Sequence, residues 1–334
     1  MIYSKPGEKY LTAFLQEDSE LYISSDFSES GFVFAPFSGQ KNVIIPIKKA
    51  QVLKVEWECA NDISISEISS DSCFNTKSAF EDLVTKGIKS INSGLFEKVV
   101  LSRLETVPND HFDFVAVFQR QLNLYPTAFR YCWFHPQVGF WMGASPEQLL
   151  RLTDDRISTM SLAGTQIYHA SESIVWEEKE KQEQRIVTNY IVESLDEHVI
   201  GMTVSSPFTT KAGNLLHIQT DIDATLKDGS TLKDLIQDLH PTPAVCGLPR
   251  EQARDFILNN EGYDREFYSG FLGEINSSVG QVQTTSLFVN LRCLQVKDDA
   301  VCLYMGCGIT TDSIAENEYQ ETVNKSATMK RVLL

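Results

Sequence analysis

The sequence predicts an α+β fold in which helices cover the outer faces of antiparallel sheets. Strand-like runs follow one another directly along much of the chain, whereas a parallel-sheet fold would alternate strands with helices. Two long segments, 172–199 and 315–332, carry apolar residues at helical spacing. With 334 residues, 42% of them hydrophobic, the chain has enough apolar surface for a large core.

The first 60 residues predict strands joined by polar turns, at 31–37, 43–47 and 52–57. The polar stretch 61–77 follows them and is the best candidate for a boundary. From Phe80 to Ile91 the apolar spacing is helical, and Gly94 is a suitable helix end. The run 98–107 predicts the next strand.

The remaining chain predicts a mixture of strands and helices. Strands are predicted at 128–134, 138–142, 148–152, 157–162, 215–222, 284–296 and 300–306. Helices are predicted at 112–123, 172–199, 231–239, 249–258 and 315–332.

The composition argues against several classes of partner. The net charge is −16 and no run rich in Lys or Arg offsets it, which disfavours nucleic acid and anionic membrane surfaces. No apolar run approaches the length of a membrane-spanning helix, and the N-terminus lacks the apolar core of a signal peptide. Seven cysteines without a Cys-x-x-Cys motif are typical of reduced thiols, so we expect a cytoplasmic protein.

Two pairs of glutamates with i,i+3 spacing occupy the two longest predicted helices. Glu180 and Glu183 fall on the inward stripe of the first helix, and Glu318 and Glu321 fall on that of the second. Burying a carboxylate costs several kcal/mol, so converging pairs would need a metal ion, a proton or Lys or Arg partners. The alternative is that both pairs are solvated faces of surface helices.

Two charged residues adjoin apolar strands. Lys98 opens the run 98–101, where it could face a cleft and have its pKa lowered by burial. A lysine at a strand edge is more often a solubilising residue. Glu147 lies in a tight turn between two apolar strands, where a carboxyl can be held near a pocket. Turn glutamates are otherwise usually solvated.

Other candidate residues each have an ordinary structural alternative. The turns 162–165 and 306–308 contain small residues, so their N–H groups could approach an anion. Arg292 interrupts the apolar run 287–294 and would need an anion if it points inward. His217 lies within a strand, where a hydrogen-bonded core role is commoner than catalysis. The loop 240–249 contains three prolines and is expected to be rigid.

Several motifs are missing from the sequence. It contains no Gly-x-x-x-x-Gly-Lys-Ser/Thr, no Gly-x-Gly-x-x-Gly after a strand, no His-Glu-x-x-His and no Gly-x-Ser-x-Gly. Nucleotide-dependent and zinc-protease chemistry are therefore disfavoured.

The order of these pieces resembles that of the chorismate-binding enzymes, a family of isochorismate, anthranilate, aminodeoxychorismate and salicylate synthases. The resemblance runs from about Phe80 to Val332 and is carried by the blocks 96–103, 143–147, 162–165, 179–184, 240–247, 265–270, 306–309 and 318–321. It implies two large antiparallel sheets flanked by helices, in a single catalytic domain 1–334. Residues 1–75 would be a divergent, shortened N-terminal part and 76–334 the matching core.

The resemblance also implies roles for particular residues. A Mg²⁺ cofactor would be held by Glu180, Glu183, Glu318 and Glu321, with Glu183 and Glu321 the direct ligands. The substrate chorismate would be held by Gly164, Thr165, Ala244, Val245, Gly247, Tyr268, Arg292, Gly306, Gly308 and Lys325. The implied catalytic residues are Lys98, Glu147 and His217. No macromolecular partner is implied, and a monomer is favoured.

Two positions help to choose the reaction within the family. Lys98 stands where isochorismate and salicylate synthases resemble one another in carrying a lysine base, and where anthranilate synthases carry glutamine. Ala163 stands where typical aminodeoxychorismate synthases carry a lysine that attaches covalently to the substrate. Isochorismate synthase is therefore favoured, with salicylate synthase and the aminating enzymes as alternatives. The alternative from another class is a non-catalytic protein that binds Mg²⁺ or Ca²⁺ for structure.

The mechanism that the resemblance implies divides two proton transfers between two residues. Lys98 would remove a proton from the water that attacks C2 of chorismate, and Glu147 would protonate the departing C4 hydroxyl. A glutamic acid that acts near neutral pH needs a raised pKa. We expect burial near other carboxylates to raise the pKa of Glu147.

Overall fold

The computed structural model describes residues 1–58, 74–108, 112–168, 174–213, 215–297 and 300–333. Within these residues the chain forms nineteen strands, six α-helices and one 3₁₀ helix. The strands build two sheets, and every pairing between neighbouring strands is antiparallel. The predicted α+β class with antiparallel sheets is confirmed.

The first sheet contains nine of the described strands. In order across the sheet they are β15 (Gly247–Leu248), β7 (Lys98–Pro108), β19 (Ala300–Ile309), β18 (Cys293–Lys297), β9 (Gly139–Ser145), β8 (Phe129–His135), β1 (Ile2–Ser4), β2 (Tyr10–Gln16) and β6 (Ala50–Glu56). Its longest pairing joins β7 to β19, with Val99 opposite Ile309 and Val100 opposite Gly308.

The second sheet contains ten of the described strands. Nine of them follow one another in the order β12 (Val199–Val204), β14 (Leu215–Leu226), β11 (Arg156–Ile167), β10 (Gln148–Thr153), β17 (Val282–Val289), β16 (Phe271–Val279), β4 (Gly31–Ala35), β5 (Asn42–Pro46) and β3 (Tyr22–Ser24). The tenth, β13 (Phe208–Ala212), pairs with β14 outside this order.

The helices are α1 (Phe74–Asn92), α2 (Phe114–Leu124), α3 (Glu178–Asp196), α4 (Leu232–Leu239), α5 (Arg250–Asn260) and α6 (Ala315–Leu333), and the 3₁₀ helix is Ile47–Lys49. Two helices have side-chain N-caps. The Asp113 carboxylate accepts from the first turn of α2, and Thr231 and Asp234 form a capping box on α4. None of the helices that the structure describes is long and apolar enough to cross a membrane.

The two sheets pack face to face around an aromatic core. Phe129 of the first sheet stacks on Phe288 of the second with ring centroids 4.3 Å apart, and Phe34 lies 5.1 Å from Trp133. On the outer faces, α3 and α4 pack on the second sheet, and α1, α2, α5 and α6 pack on the first. The cysteines of the described residues are all buried and unpaired.

The structure corrects the predicted strand 284–296. The apolar run is divided into β17, which ends at Val289, and β18, which begins at Cys293. Between them Arg292 has a φ of 48°, in the left-handed region that a regular strand does not use. Strands β1, β2, β3, β12, β13, β15 and β16 had no counterpart in the sequence prediction. The boundary expected at 61–77 lies mostly outside the described residues.

A buried ion pair joins the first sheet to the loop before α5. Arg265 donates to both carboxylate oxygens of Glu261, at 2.7 and 2.5 Å. The same guanidinium donates to the C=O groups of Val100 and Val245, at 2.7 and 2.9 Å. Glu261 in turn accepts from the N–H and hydroxyl of Ser102. These bonds hold β7 and the loop segment around Val245 in a fixed relation.

We expect Glu261→Gln to lower the free energy of unfolding by about 3–5 kcal/mol, because it leaves the buried Arg265 charge without its partner. Urea denaturation of the full chain measures the loss. Glu178→Gln removes one partner of the exposed pair Glu178–Arg185 and serves as a control, with an expected loss below about 1 kcal/mol. Equal losses in the two variants would contradict the structural role of the buried pair.

Candidate active site

A cavity lies where the two sheets meet. It encloses about 640 Å³ of space, part of it open to solvent. Its lining contains Lys98, Glu147, Gly164, Thr165, Glu183, His217, Ala244, Val245, Tyr268, Arg292, Gly306, Gly308, Glu321 and Lys325. Of the residues predicted from the sequence, only Gly247, Glu180 and Glu318 are outside the lining.

Two neighbouring strand crossings place charged residues in this cavity. The chain passes from the first sheet to the second between β9 and β10, and returns between β17 and β18. The crossings are joined because Val289 N–H donates to the Glu147 C=O (3.0 Å) and Ala144 N–H donates to the Arg292 C=O (3.1 Å). The Ser145 hydroxyl donates to the Val289 C=O at 2.5 Å. Glu147 and Arg292 therefore reach the cavity side by side.

Lys98 enters the same cavity from the start of β7. It is only 1% exposed, and its Nζ lies 3.9 Å from Oε2 of Glu183 on α3. Gly308 on β19 makes room for this approach. A Cβ at position 308 would lie 2.8 Å from Oε2 of Glu183 and 3.0 Å from Cε of Lys98. A side chain at this position would therefore require Glu183, and to a smaller extent Lys98, to move.

Burial shifts the pKa values of Lys98 and Glu147 toward each other. It lowers the pKa of Lys98, an effect that the charge of Glu183 opposes. Burial raises the pKa of Glu147 to about 7, and the charges of Lys98 and Arg292 oppose this rise. The expectation that burial raises the pKa of Glu147 is therefore confirmed, but the part assigned to other carboxylates is wrong, because the charges that act on Glu147 are cations. Both residues are shifted toward their uncharged forms.

His217 on β14 presents a hydrogen-bond acceptor to the cavity. Its Nδ1 lies 2.7 Å from the Gly164 C=O, and because a carbonyl only accepts, Nδ1 carries the proton. Nε2 is therefore unprotonated, and it is buried without a partner among the described residues. Burial and the charge of Arg292 lower the pKa of His217 to about 3, so the ring is neutral near pH 7.

Cations line another part of the cavity. The Arg292 guanidinium makes no hydrogen bond or ion pair with any residue that the structure describes, although it lines the cavity. Lys325 on α6 donates to the Gly306 C=O at 3.0 Å and pairs with Glu321 at 2.6 Å. A Cβ at Gly306 would lie 2.9 Å from the Tyr268 hydroxyl. Arg292 is therefore available to an anionic ligand.

The four glutamates of α3 and α6 are not solvated helix faces. Glu183 and Glu318 are 8% and 1% exposed, and Glu180 and Glu321 are half-buried. Burial and the charges of Glu321 and Glu318 raise the pKa of Glu183 to about 7, although Lys98 opposes the rise. The carboxylates of the two helices therefore repel one another in a partly desolvated place.

The predicted cluster of four carboxylates is not closed around one point. Among the described residues, no three His, Cys, Asp or Glu side chains are grouped closely enough to hold a metal ion. Lys179 instead forms an ion pair with Glu318, and its Nζ lies 3.8 Å from Oε1 of Glu183. The ammonium group neutralises part of the acidic charge between α3 and α6.

The donors nevertheless fit a divalent cation such as Mg²⁺. All four are carboxylates, and oxygen is the ligand atom that Mg²⁺ prefers. Oε2 of Glu180 is buried without a partner among the described residues, so it has an unused acceptor. A cation near Glu183 would also relieve the repulsion from Glu318 and Glu321.

Some residues have places that the sequence prediction did not anticipate. Gly247 pairs with Val99 at the sheet edge, where a Cβ would lie 2.2 Å from the Lys98 C=O, so its closest contacts are with backbone. Lys179 had no predicted role, although its position four residues before Glu183 is a signal for an ion pair on a helix. The contacts of Arg265 join distant segments and have no local signal.

The comparisons with known proteins agree with this geometry. A sequence model described as "Chorismate binding enzyme" matches residues 41–334. The chain belongs to the chorismate-binding enzyme family. This membership confirms the resemblance drawn from the sequence blocks.

Two relatives of this family member are isochorismate synthases of Escherichia coli (strain K12). Isochorismate synthase MenF is 31% identical over 269 residues, which are 77% of this chain and 60% of MenF. Isochorismate synthase EntC is 30% identical over 269 residues, 77% of this chain and 67% of EntC. The solved structure of the menaquinone-specific MenF matches with a TM-score of 0.82 at 21% identity, covering 100% of this chain and 88% of that one. This likeness confirms the fold.

We expect Glu147→Gln to change how the stability of this chorismate-binding enzyme depends on pH. A raised pKa means that the folded state holds the Glu147 proton more tightly than the unfolded state does, so its contribution is present below about pH 4.5 and is lost as the pH rises through about 7. Between about pH 4.5 and 7, the free energy of unfolding should therefore fall in the wild type by about 1–3 kcal/mol more than it does in the variant.

Urea denaturation at a series of pH values tests this expectation. The exposed Glu97 offers a matched control, since Glu97→Gln should leave the pH dependence as in the wild type. Parallel curves for Glu147→Gln and the wild type would show that Glu147 titrates alike in the folded and unfolded states.

Proposed function

We propose that the chain is a Mg²⁺-dependent isochorismate synthase that converts chorismate to isochorismate. The observation that carries the proposal is the placement of Lys98 and Glu147 in one cavity. Burial there lowers the pKa of Lys98 and raises that of Glu147, and both shifts favour the uncharged side chain. A neutral lysine is a base and a protonated glutamic acid is an acid, so this pair can divide the two proton transfers of a hydroxyl exchange.

Charge supports chorismate as the substrate. Chorismate carries two carboxylates, and the cavity contains the unpaired guanidinium of Arg292 together with Lys325. An Arg side chain can hold a carboxylate through two parallel hydrogen bonds. These cations provide the local positive site that a chain with a net charge of −16 needs for an anionic substrate.

The proposed reaction exchanges one hydroxyl for another. Lys98 removes a proton from water as the oxygen bonds to C2, both ring double bonds shift by one position toward C4, and the C4–O bond breaks. Glu147 donates its proton to the departing C4 oxygen, which leaves as water. One water enters and one leaves, so the overall change is an isomerisation. Each positioned acid or base contributes roughly 10²–10⁴-fold to such steps.

His217 holds the substrate and does not transfer protons in this scheme. Its Nε2 can accept a hydrogen bond from a substrate hydroxyl, and its lowered pKa keeps it neutral. The Gly164 C=O fixes the ring orientation through Nδ1. The role is therefore to orient the ring of chorismate.

Magnesium is proposed to be held by the carboxylates of α3 and α6. Glu183 and Glu321 line the cavity and would contact the ion directly, while Glu180 and Glu318 act directly or through water. When bound, the ion supplies positive charge for a substrate carboxylate. Lys179 would then give up its position between Glu183 and Glu318.

We also propose that the chain forms one catalytic domain, acts as a monomer in the cytoplasm, and takes no macromolecular partner.

We expect Lys98→Ala and Glu147→Gln each to reduce formation of isochorismate at least about 100-fold, because each removes one proton transfer. Chromatography of the products formed from chorismate and Mg²⁺ measures the loss. The exposed Lys89 and Glu97 provide matched controls, since Lys89→Ala and Glu97→Gln should keep wild-type turnover. Near-normal turnover in either test variant would disprove the assigned role.

The same chromatograms distinguish isochorismate formation from the reactions of other family members. The wild type should form isochorismate with or without ammonium. Salicylate or an aminated product would assign the chain to another branch of the family, and the absence of both binding and turnover would indicate a non-catalytic protein.

We expect Glu321→Lys to abolish Mg²⁺-dependent binding of chorismate while the chain remains folded, because the change places an ammonium where the cation is proposed to bind. Isothermal titration calorimetry with and without Mg²⁺ measures binding apart from turnover. Glu316→Lys on the exposed side of α6 is the matched control and should bind as the wild type does. Unchanged Mg²⁺-dependent binding in Glu321→Lys would rule out this ligand.

A further inference from the structure

A second polar cavity lies against the outer face of the second sheet, beside α4 and α5. We call it the basic cavity and define it by Phe27, Lys233, His240, Arg250, Arg254 and Phe271 in its lining. It encloses about 700 Å³ of space, part of it open to solvent. None of these residues lines the candidate active site.

The basic cavity is positive in a strongly acidic chain. Lys233, Arg250 and Arg254 line it together with a single carboxylate, that of Glu251. Arg250 lies 3.5 Å from Glu251, and neither Lys233 nor Arg254 forms an ion pair with a described residue, although the charge of Lys233 acts on the nearby Asp26 and Asp234. The excess of two positive charges contrasts with the net charge of −16 for the whole chain. An anion of two charges would balance the excess.

Several donors in the basic cavity have no partner among the described residues. His240 is 8% exposed, and neither of its ring nitrogens has a hydrogen-bond partner. Nε of Arg254 is buried and also lacks a partner, although the same guanidinium donates to the Ser38 C=O. Lys233 makes no hydrogen bond or ion pair with a described residue. Buried polar groups are rarely left unpaired, so the His240 ring and Nε of Arg254 point to a ligand, and the half-buried Lys233 adds a charged donor beside them.

The position of His240 is fixed by its surroundings. Its ring packs edge-on against Phe271 with the centroids 5.0 Å apart. Burial and the charges of Arg250 and Arg254 lower its pKa to about 3, so the ring is neutral near pH 7. A neutral ring provides one N–H donor and one acceptor. The ring can therefore donate to a ligand oxygen without adding a further charge.

We propose that the basic cavity binds a small organic phosphate. A phosphate monoester has up to two negative charges and three terminal oxygens, which matches the charge excess and the separate donors of Lys233, His240 and Arg254. A single carboxylate would leave one positive charge unbalanced. The aromatic rings of Phe27 and Phe271 provide an apolar wall for the organic part of the ligand.

The site is separate from the proposed reaction but adjoins it through the chain. The segment that follows His240 supplies Ala244 and Val245 to the lining of the candidate active site. Binding at the basic cavity does not require that the chain act on chorismate. Its test therefore succeeds or fails independently of the isochorismate synthase assignment.

Isothermal titration calorimetry of the full chain with inorganic phosphate and with phenyl phosphate tests the proposal. We expect one site for each, with phenyl phosphate bound more tightly because of the apolar wall. Lys233→Gln and Arg254→Gln should each weaken binding about tenfold by removing a charged donor. Lys48, an exposed lysine outside the cavity, provides the control, and Lys48→Gln should bind as the wild type does.

A variant of the candidate active site identifies where phosphate binds. Lys325→Gln should retain the binding of both probes, because Lys325 lines the other cavity. Loss of binding in Lys325→Gln with retention in Lys233→Gln would place the phosphate in the active site and overturn the proposal. Absence of measurable binding of either probe to the wild type would overturn it as well.

Discussion

The two strand crossings between the sheets are the constraint on which the candidate active site depends. Backbone hydrogen bonds from Val289 to Glu147 and from Ala144 to Arg292 hold the crossings against each other. The chain must leave one antiparallel sheet and enter the other at this point, so the residues between strands are carried into the junction. The crossings place the buried carboxyl of Glu147 and the half-buried guanidinium of Arg292 in the lining of one cavity.

The charges gathered at the junction stabilise one another only in part. Lys98 faces Glu183, Lys179 pairs with Glu318, and Lys325 pairs with Glu321. Each of these ion pairs joins a buried or half-buried carboxylate to an ammonium, and partial desolvation offsets some of their attraction. Arg292 is the exception, because no described residue pairs with it. The site thus has one cation, Arg292, that is available to an anionic ligand. Its carboxylates share the remaining ammonium groups.

Local patterns in the sequence predicted much of this arrangement, and their failures have physical causes. Helical spacing indicated α3 and α6 and placed their glutamates on the inward faces. The apolar run 284–296 predicted one strand, because spacing alone does not reveal that the chain changes sheets at Arg292. The pairing of Lys179 with Glu318 spans 139 residues and depends on how two helices pack. The resemblance of ordered blocks supplied the roles that periodicity could not.

One physical effect prepares both proposed proton-transfer residues. The base must be a neutral lysine and the acid a protonated glutamic acid, and these are the uncharged forms of the two side chains. Desolvation favours both at once, so a single buried cavity can lower the pKa of Lys98 while it raises that of Glu147.

Direct pairing of Lys98 with Glu147 would act in the opposite direction, because an ion pair stabilises both charged forms. Nζ of Lys98 lies instead 3.9 Å from Oε2 of Glu183, which is longer than a hydrogen bond. The C=O of Glu147 accepts a hydrogen bond from Val289 at the crossing. Lys98 and Glu147 form no ion pair, so the charge of Lys98 opposes the raised pKa of Glu147 without cancelling it, and both residues keep the shifts that the proposed reaction needs.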